Sequence, residues 1–178
     1  PSTIHLAGAE IELVSQVARE HRLRGALREY LEIEDNHLDF VIIDCPPSLG
    51  LLTINAFTAA DEVMIPIQCE YYALEGLSQL LGSVQMIQKH LNPKLHVSTI
   101  LLTMYDGRTR LAQQVAEEVR SHFSHEVLNT VIPRSVRVSE APSFGQTVIA
   151  YDGQSAGAIA YREAAVEIVA RDTTEKDS

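Results

Sequence analysis

An apolar run closed by an acid, LDFVIID at 38–44, leaves few folds open to this chain. A half-buried strand alternates polar and apolar side chains. An unbroken apolar run instead reads as a strand covered on both faces, the kind found in parallel sheets between layers of helices. Pro46 and Pro47 stop the run, and Leu49 to Ala60 can form a helix behind it. The order then repeats. EVMIPIQ (62–68) reads as a second strand, and Leu74, Leu77, Leu81, Val84, Ile87 and Leu91 stripe a helix ended by Asn92-Pro93. VSTILLTMYD (97–106) is a third strand closed by an acid, followed by a helix marked by Leu111, Val115 and Val119. VLNTVIP (127–133) is a further strand, and Ile159, Val166 and Val169 mark a last helix with Ser155 as N-cap after an Asp152-Gly153 turn. Such alternation predicts an α/β fold with a doubly wound, mostly parallel sheet and flanking helices.

Ahead of the first strand, a short apolar piece (Ile4 to Ala7) precedes Leu13, Val17, Leu23, Leu27 and Leu31. These recur near the helical period and predict one long helix, ended by a polar turn at Asp35, Asn36 and His37. There is no internal repeat and no low-complexity linker, so a single domain over residues 1–170 is expected. Residues 171–178, RDTTEKDS, are expected to form a disordered polar tail.

No apolar run approaches the roughly 20 residues that span a bilayer, and PSTIHLAGAE lacks the basic flank and greasy stretch of a secretory signal. Cys45 and Cys69 are isolated in apolar segments, which argues against a disulfide framework and for a reducing cytoplasm. A net charge of −10 excludes a protein coated in positive charge. It leaves room for a local basic patch, because phosphate contacts act over about 8–10 Å. The placement of the few arginines therefore carries more weight than the total. A chain beginning at Pro1 has either lost an initiator Met or is part of something longer, and the motifs favour the second reading.

Ligands of doubly wound sheets sit at the carboxyl ends of the strands, where Asp44 and Asp106 fall. An apolar strand ending in Asp suits Mg²⁺ binding beside a nucleotide, since the hard cation takes oxygen ligands. An Asp that merely caps the next helix fits the same pattern, so the residue alone leaves both readings open. His122 and His125 have a zinc-like spacing but no third and fourth ligand nearby. Cys45 has no paired cysteine or local histidine, and Ser48 lacks a nucleophile elbow.

The segment around Asp44 is more specific. DFVIIDCPPSLGLLTINA (39–56) resembles the Walker B and switch region of the ParA/Soj family of deviant-Walker partitioning ATPases. PIQCEYYALEGLSQLL (66–81), LLTMYDGRTRLAQQVAEEV (101–119) and VIPRSVRVSEAPSFGQ (131–146) resemble that family's successive blocks, in order. PSTIHLAGAEIELV (1–14) is similar to its stretch ahead of Walker B, so the likeness runs to about Val169. It implies a P-loop NTPase-like fold whose N-terminal strand, phosphate loop and first helix are missing from this stretch. No KGGxGKT-like loop occurs among the nine scattered glycines. Without those backbone N–H groups and lysines a triphosphate has no cradle, so this chain alone is expected not to hydrolyse ATP.

The resemblance assigns roles by position. Asp44 corresponds to the Walker B acid that holds Mg²⁺, through water, and serves catalysis. Cys45, Pro46 and Pro47 correspond to the switch that senses the γ-phosphate, where two prolines make a stiff lever. Thr103, Met104, Pro133 and Val136 fall where the adenine pocket is built, and Glu70, Tyr71 and Tyr72 beside the nucleotide and dimer face. Arg108 and Arg137 match positions of sequence-independent DNA contact, with Arg110 and Arg134 close in sequence. No recognition-helix pattern suggests base reading. The implied protein is a cytoplasmic, nucleoid-associated ATPase that binds ATP and Mg²⁺, dimerises, holds DNA non-specifically and answers to a ParB/Spo0J-like partner. Two rivals remain at this level. One is a non-enzymatic interaction module. The other is a membrane-site ATPase of the MinD kind, whose basic amphipathic C-terminal helix the tail RDTTEKDS does not match.

Overall fold

The second and third expected strands pair with each other. In the computed structural model, which describes residues 5–33, 38–46 and 48–176, β1 (Glu62–Gln68) lies beside β2 (His96–Thr103). His96 N donates to Asp61 O and Cys69 N to Thr103 O, an ascending register on both strands that makes the pair parallel. The return between them is the helix α4 (Ala73–His90), as a parallel pair requires. The remaining elements are α1 (His5–Val14), α2 (Arg22–Leu31), α3 (Leu51–Ala59), α5 (Arg110–His122), α6 (Val136–Glu140), α7 (Val148–Tyr151) and α8 (Ala156–Lys176). The chain divides into two compact units, Pro1–Val63 with Leu80–His96, and Met64–Gln79 with Val97–Ser178.

The first unit is organised around α3. Thr53, Asn55, Ala56, Phe57 and Thr58 are buried there, with Val84, Ile87 and Leu95 also in the core. The polar members of that set are tethers. Asn55 Oδ1 accepts from Leu23 N at 3.1 Å, while its Nδ2 donates to Arg19 O at 2.8 Å and Leu51 O at 2.9 Å. Glu10 Oε1 accepts from Leu51 N, occupying one of the orphan donors at the start of α3. Asn92 Nδ2 reaches Phe57 O and Ala60 O at its other end.

The long N-terminal helix expected from the leucine spacing is broken into α1 and α2. Ala18 takes a left-handed conformation (φ 52°) and a 3-10 turn, Arg19–His21, follows. Arg19 Nη1 donates to Val14 O, so a side chain rather than the next turn of helix satisfies the end of α1. Ile4 and the polar turn at Asp35, Asn36 and His37 lie outside the described residues.

In the second unit, β2 is the buried strand. Thr99, Ile100, Leu101 and Leu102 are consecutive and all covered, whereas β1 alternates, burying Val63, Ile65 and Ile67. The N–H groups of β1 that face β2 are those in phase with Cys69, so the one missing at Pro66 falls on the other edge and costs this ladder nothing. α5 buries Ala112, Val115, Ala116 and Val119. Leu101, Leu128 and Ile132 pack with Ala160 and Ala164 of α8. Ser155 Oγ accepts from Ala158 N, capping α8 as its sequence suggests. That helix runs on through the stretch expected as a disordered tail, as far as Lys176, because no Gly or Pro interrupts residues 171–176.

Two expected strands differ from the sequence reading. Residues 38–46 form no strand and no ladder, with a bend at Asp39, and Phe40, Val41 and Ile42 are exposed, Ile42 at 83%. A strand buried on both faces needs a neighbour, and the described residues supply none to this run. The segment 127–133 joins the sheet only at its ends, through parallel bridges Ile100–Val127 and Tyr105–Pro133. Between them the backbone N–H groups of Asn129 and Thr130 donate to the Glu167 carboxylate, at 2.7 and 3.0 Å. A side chain of α8 thus takes donors that a continuous strand would have spent on its neighbour.

Candidate functional site

Asp44 ends the apolar run in the first unit and is exposed, with no hydrogen bond or ion pair to another described residue. An open carboxylate fits a hard cation that keeps most of its water. Beside it, burial and then the Asp44 charge raise the Cys45 thiol above its ordinary range, and Cys45 Sγ lies 3.6 Å from Ile43 O. A raised thiol is a poor nucleophile, consistent with a structural rather than reactive cysteine. Pro46 is exposed. Pro47 lies outside the described residues. No group of three metal-capable side chains occurs among the described residues.

In the second unit, the end of β2 is tied down strongly. Thr103 Oγ1 donates to Ile67 O at 3.1 Å, and Thr103 O accepts from Cys69 N at 3.0 Å. Met104 then turns into the left-handed region at φ 53°. For a residue with a side chain this costs about 1–2 kcal/mol, and such strain gathers at functional turns. Tyr105 resumes pairing: its N–H donates to Ile132 O, and its carbonyl accepts from Arg134 N. Thr103, Met104 and Pro133 are thereby brought to one edge. Val136 opens α6 three residues on and stands 71% exposed. Met104 and Pro133 supply apolar groups at this edge, beside Tyr105 backbone groups fixed by their pairing.

The arginines are engaged. Arg108 grips Asp106 with both prongs, Nε to Oδ1 at 2.9 Å and Nη2 to Oδ2 at 2.8 Å. Its own N–H also donates to Oδ1 at 3.1 Å. The Arg108 side-chain hydrogen bond, then its backbone N–H, hold the Asp106 carboxyl down to about 2. Arg137 Nη1 lies 3.1 Å from Glu140 Oε2 and its Nε 3.4 Å from Asp152 Oδ2. Glu140 foremost raises the Arg137 pKa. Arg134 pairs with Glu70 at 2.7 Å, and Tyr71 and Tyr72 stand exposed in an edge-to-face pair at 5.1 Å. Which carboxylates these arginines meet is what the sequence left unnamed, a local salt bridge being the alternative to DNA contact that it allows. An i,i+2 spacing for Asp106 and Arg108, and i,i+3 for Arg137 and Glu140, are the only local signals of them.

A family model described as an AAA domain matches residues 1–97. The sporulation initiation inhibitor protein Soj of Bacillus subtilis is 59% identical over 170 residues, covering 96% of this chain and 66% of that protein. The chromosome partitioning protein ParA of Myxococcus xanthus is 53% identical, over 97% of this chain and 60% of its own length. The chain therefore spans about 60–66% of the length of these curated relatives. Among solved structures, a cobyrinic acid a,c-diamide synthase from Mycobacterium smegmatis with bound ATP analogue and magnesium aligns at TM-score 0.72 and 40% identity. That match covers 92% of this chain and 58% of that one. The cell division ATPase MinD of Pyrococcus furiosus aligns at TM-score 0.64 and 25% identity, over 84% and 57%. No described helix is long and apolar enough to cross a membrane. With a P-loop NTPase-like α/β fold, and 59% identity to Soj carried across 96% of its length, the chain belongs to the ParA/Soj family of partitioning ATPases.

Proposed function

We propose that the protein to which this chain belongs is a DNA-partitioning ATPase that works in the cytoplasm on the nucleoid. Its ATP-dependent homodimer holds DNA without regard to sequence and lets go when a ParB/Spo0J-like partner stimulates hydrolysis. The observation that carries the reading is identity to proteins named for chromosome partitioning along nearly the whole chain, 53% and 52%, against 40% to the diamide synthase and 25% to MinD.

In this reading residues 1–170 form one ParA-type domain. Asp44 would hold Mg²⁺ through water, which its exposure and the absence of a partner among the described residues allow. Pro46 and Pro47 would report the occupancy of the site to the segment beyond. Thr103, Met104, Pro133 and Val136 would receive the adenine, for which the strained turn at Met104 and the Tyr105–Pro133 bridge offer fixed walls. ATP with Mg²⁺ supplies, when bound, the phosphoryl group whose loss makes dimerisation reversible. Within this stretch no phosphate loop accompanies these residues, so the stretch alone is expected not to hydrolyse ATP.

Arg108 and Arg137 would contact DNA phosphates. Both stand out from loops or short helices that follow the sheet, and their side chains are 89% and 55% exposed. Guanidinium groups on phosphate oxygens carry no sequence information, so affinity should fall with salt and not with base changes. Two weak patches joined in a dimer bind far better than one, which makes the nucleotide state a DNA switch. The test is the double substitution Arg108→Ala with Arg137→Ala in the full-length protein with ATP. Binding to duplexes of unrelated sequence should weaken about equally, with a flatter salt dependence. Unchanged binding in a mobility assay would remove the DNA assignment.

A further inference from the structure

We propose that Asp106 is a built-in competitor for DNA phosphate at Arg108: its carboxylate occupies the Nε–Nη2 edge of the guanidinium and must yield that edge before a phosphodiester can take it. The inference rests on the reading of Arg108 as a DNA contact.

The geometry is the argument. Two parallel N–H bonds, at 2.9 and 2.8 Å, join one edge of the guanidinium to both oxygens of one carboxylate. This is the same fork-on-fork arrangement that arginine makes with phosphate. The carboxylate is held in place. Its Oδ1 also accepts from Arg108 N, and the Asp106 carbonyl accepts from Thr109 N and Thr109 Oγ1, both at 3.0 Å. The Arg108 side chain is 89% exposed and that of Asp106 only 21%, so the acid stays anchored while the arginine faces an arriving polyanion. An exposed pair of this kind is weak enough to be displaced. At the other candidate contact Arg137 also meets carboxylates, though through one oxygen each of Glu140 and Asp152 and not through a fork.

The physical consequence is restraint. An arginine that already carries a carboxylate adds little net charge to attract DNA. A phosphate that displaces Asp106 leaves a second anion beside itself, which costs part of the attraction. Each subunit is thereby held to low affinity, and durable binding demands two. This gives an acidic protein a DNA hold that is lost on return to the monomer.

The experiment measures the affinity of the full-length protein, with ATP, for two short duplexes of unrelated sequence. It compares Asp106→Asn in the natural background with Asp106→Asn in an Arg108→Ala background. Asn keeps the Oδ1 acceptor for Arg108 N but removes the charge and one half of the fork. The expected result is roughly two- to five-fold tighter binding to both duplexes, with the gain abolished when Arg108 is absent. An equal gain in both backgrounds would reveal diffuse charge repulsion and overturn the competitor role. Unchanged or weaker binding would overturn it as well, weaker binding marking Asp106 as a support for Arg108. If Arg108→Ala alone leaves binding intact, the DNA reading fails and takes this inference with it, a result distinguishable from the others.

Discussion

Glu167 on α8 offers a quantitative test of how the second unit is held together. Its carboxylate accepts from Asn129 N at 2.7 Å, Thr130 N at 3.0 Å, Asn129 Nδ2 at 3.2 Å and Arg171 Nη2 at 2.8 Å. Arg171 in turn donates to the carbonyls of His125, Glu126 and Val127. One turn of helix therefore fastens both polar edges of the segment that leads to Pro133 and Arg134. Glu167→Ala leaves two backbone N–H groups without their acceptor and Arg171 without its nearest anion. A net hydrogen bond contributes about 1 kcal/mol, more when charged, and water can reach Asn129, so the loss should be about 2–3 kcal/mol. For a chain of this size each kcal/mol moves the melting midpoint by about 2–4 °C, giving a drop of roughly 4–12 °C in a thermal melt. Burial pushes the Glu167 carboxyl up, but the N–H groups of Thr130 and Asn129 with Arg171 outweigh it, and the net shift is downward. A carboxyl depressed in the folded state contributes its stability above the unfolded value and loses it as pH falls through the folded one. The gap between natural and variant proteins should therefore narrow in acid, below the ordinary Glu range. A midpoint shift under about 1 °C at neutral pH, or a gap that widens in acid, would refute the clamp.

Two further outcomes are expected. Asn55→Ala removes three hydrogen bonds at a site only 3% exposed, and should lower unfolding free energy by about 2–3 kcal/mol in a denaturant titration. A loss below about 0.5 kcal/mol would mean that the contacts to Leu23 and Arg19 do not hold the N-terminal helices. Asp44→Ala in the full-length protein should cut Mg²⁺-dependent turnover about 10- to 100-fold. Its stability should stay within about 0.5 kcal/mol, since the side chain is exposed. Normal turnover would reject the Walker B role.

Where the sequence was a good guide, period and punctuation agreed. EVMIPIQ matches β1 residue for residue, and the leucine stripe ended by Asn92-Pro93 became α4. Thr99 to Leu102 show the double-sided burial that a continuous apolar run implies. The same pattern at 38–44 failed to become a strand, because burial on two faces depends on neighbours that the run itself does not encode. The N-terminal leucines kept their spacing while the backbone broke at Ala18, a break that periodicity does not register. For the candidate site, the ParA/Soj resemblance singled out Met104, Pro133 and both arginines as candidates. It gave no hint that Asp106, Glu140 and Asp152 would be the partners of those arginines. Ion pairs made through turns and between helices depend on backbone direction, which a string of residue types does not carry. The Glu167 clamp is hidden for the same reason, since its targets lie 37 and 38 residues away.

The central claim is that a nucleotide-gated dimer grips DNA by its phosphates alone. It is tested most directly by titrating the full-length protein onto two duplexes of unrelated sequence, with and without ATP and Mg²⁺, over a range of salt. Tight binding only with nucleotide, equal affinity for both duplexes, and a linear fall of log affinity with log salt are expected. Binding that ignores nucleotide, or that distinguishes the two sequences at every salt concentration, would contradict it.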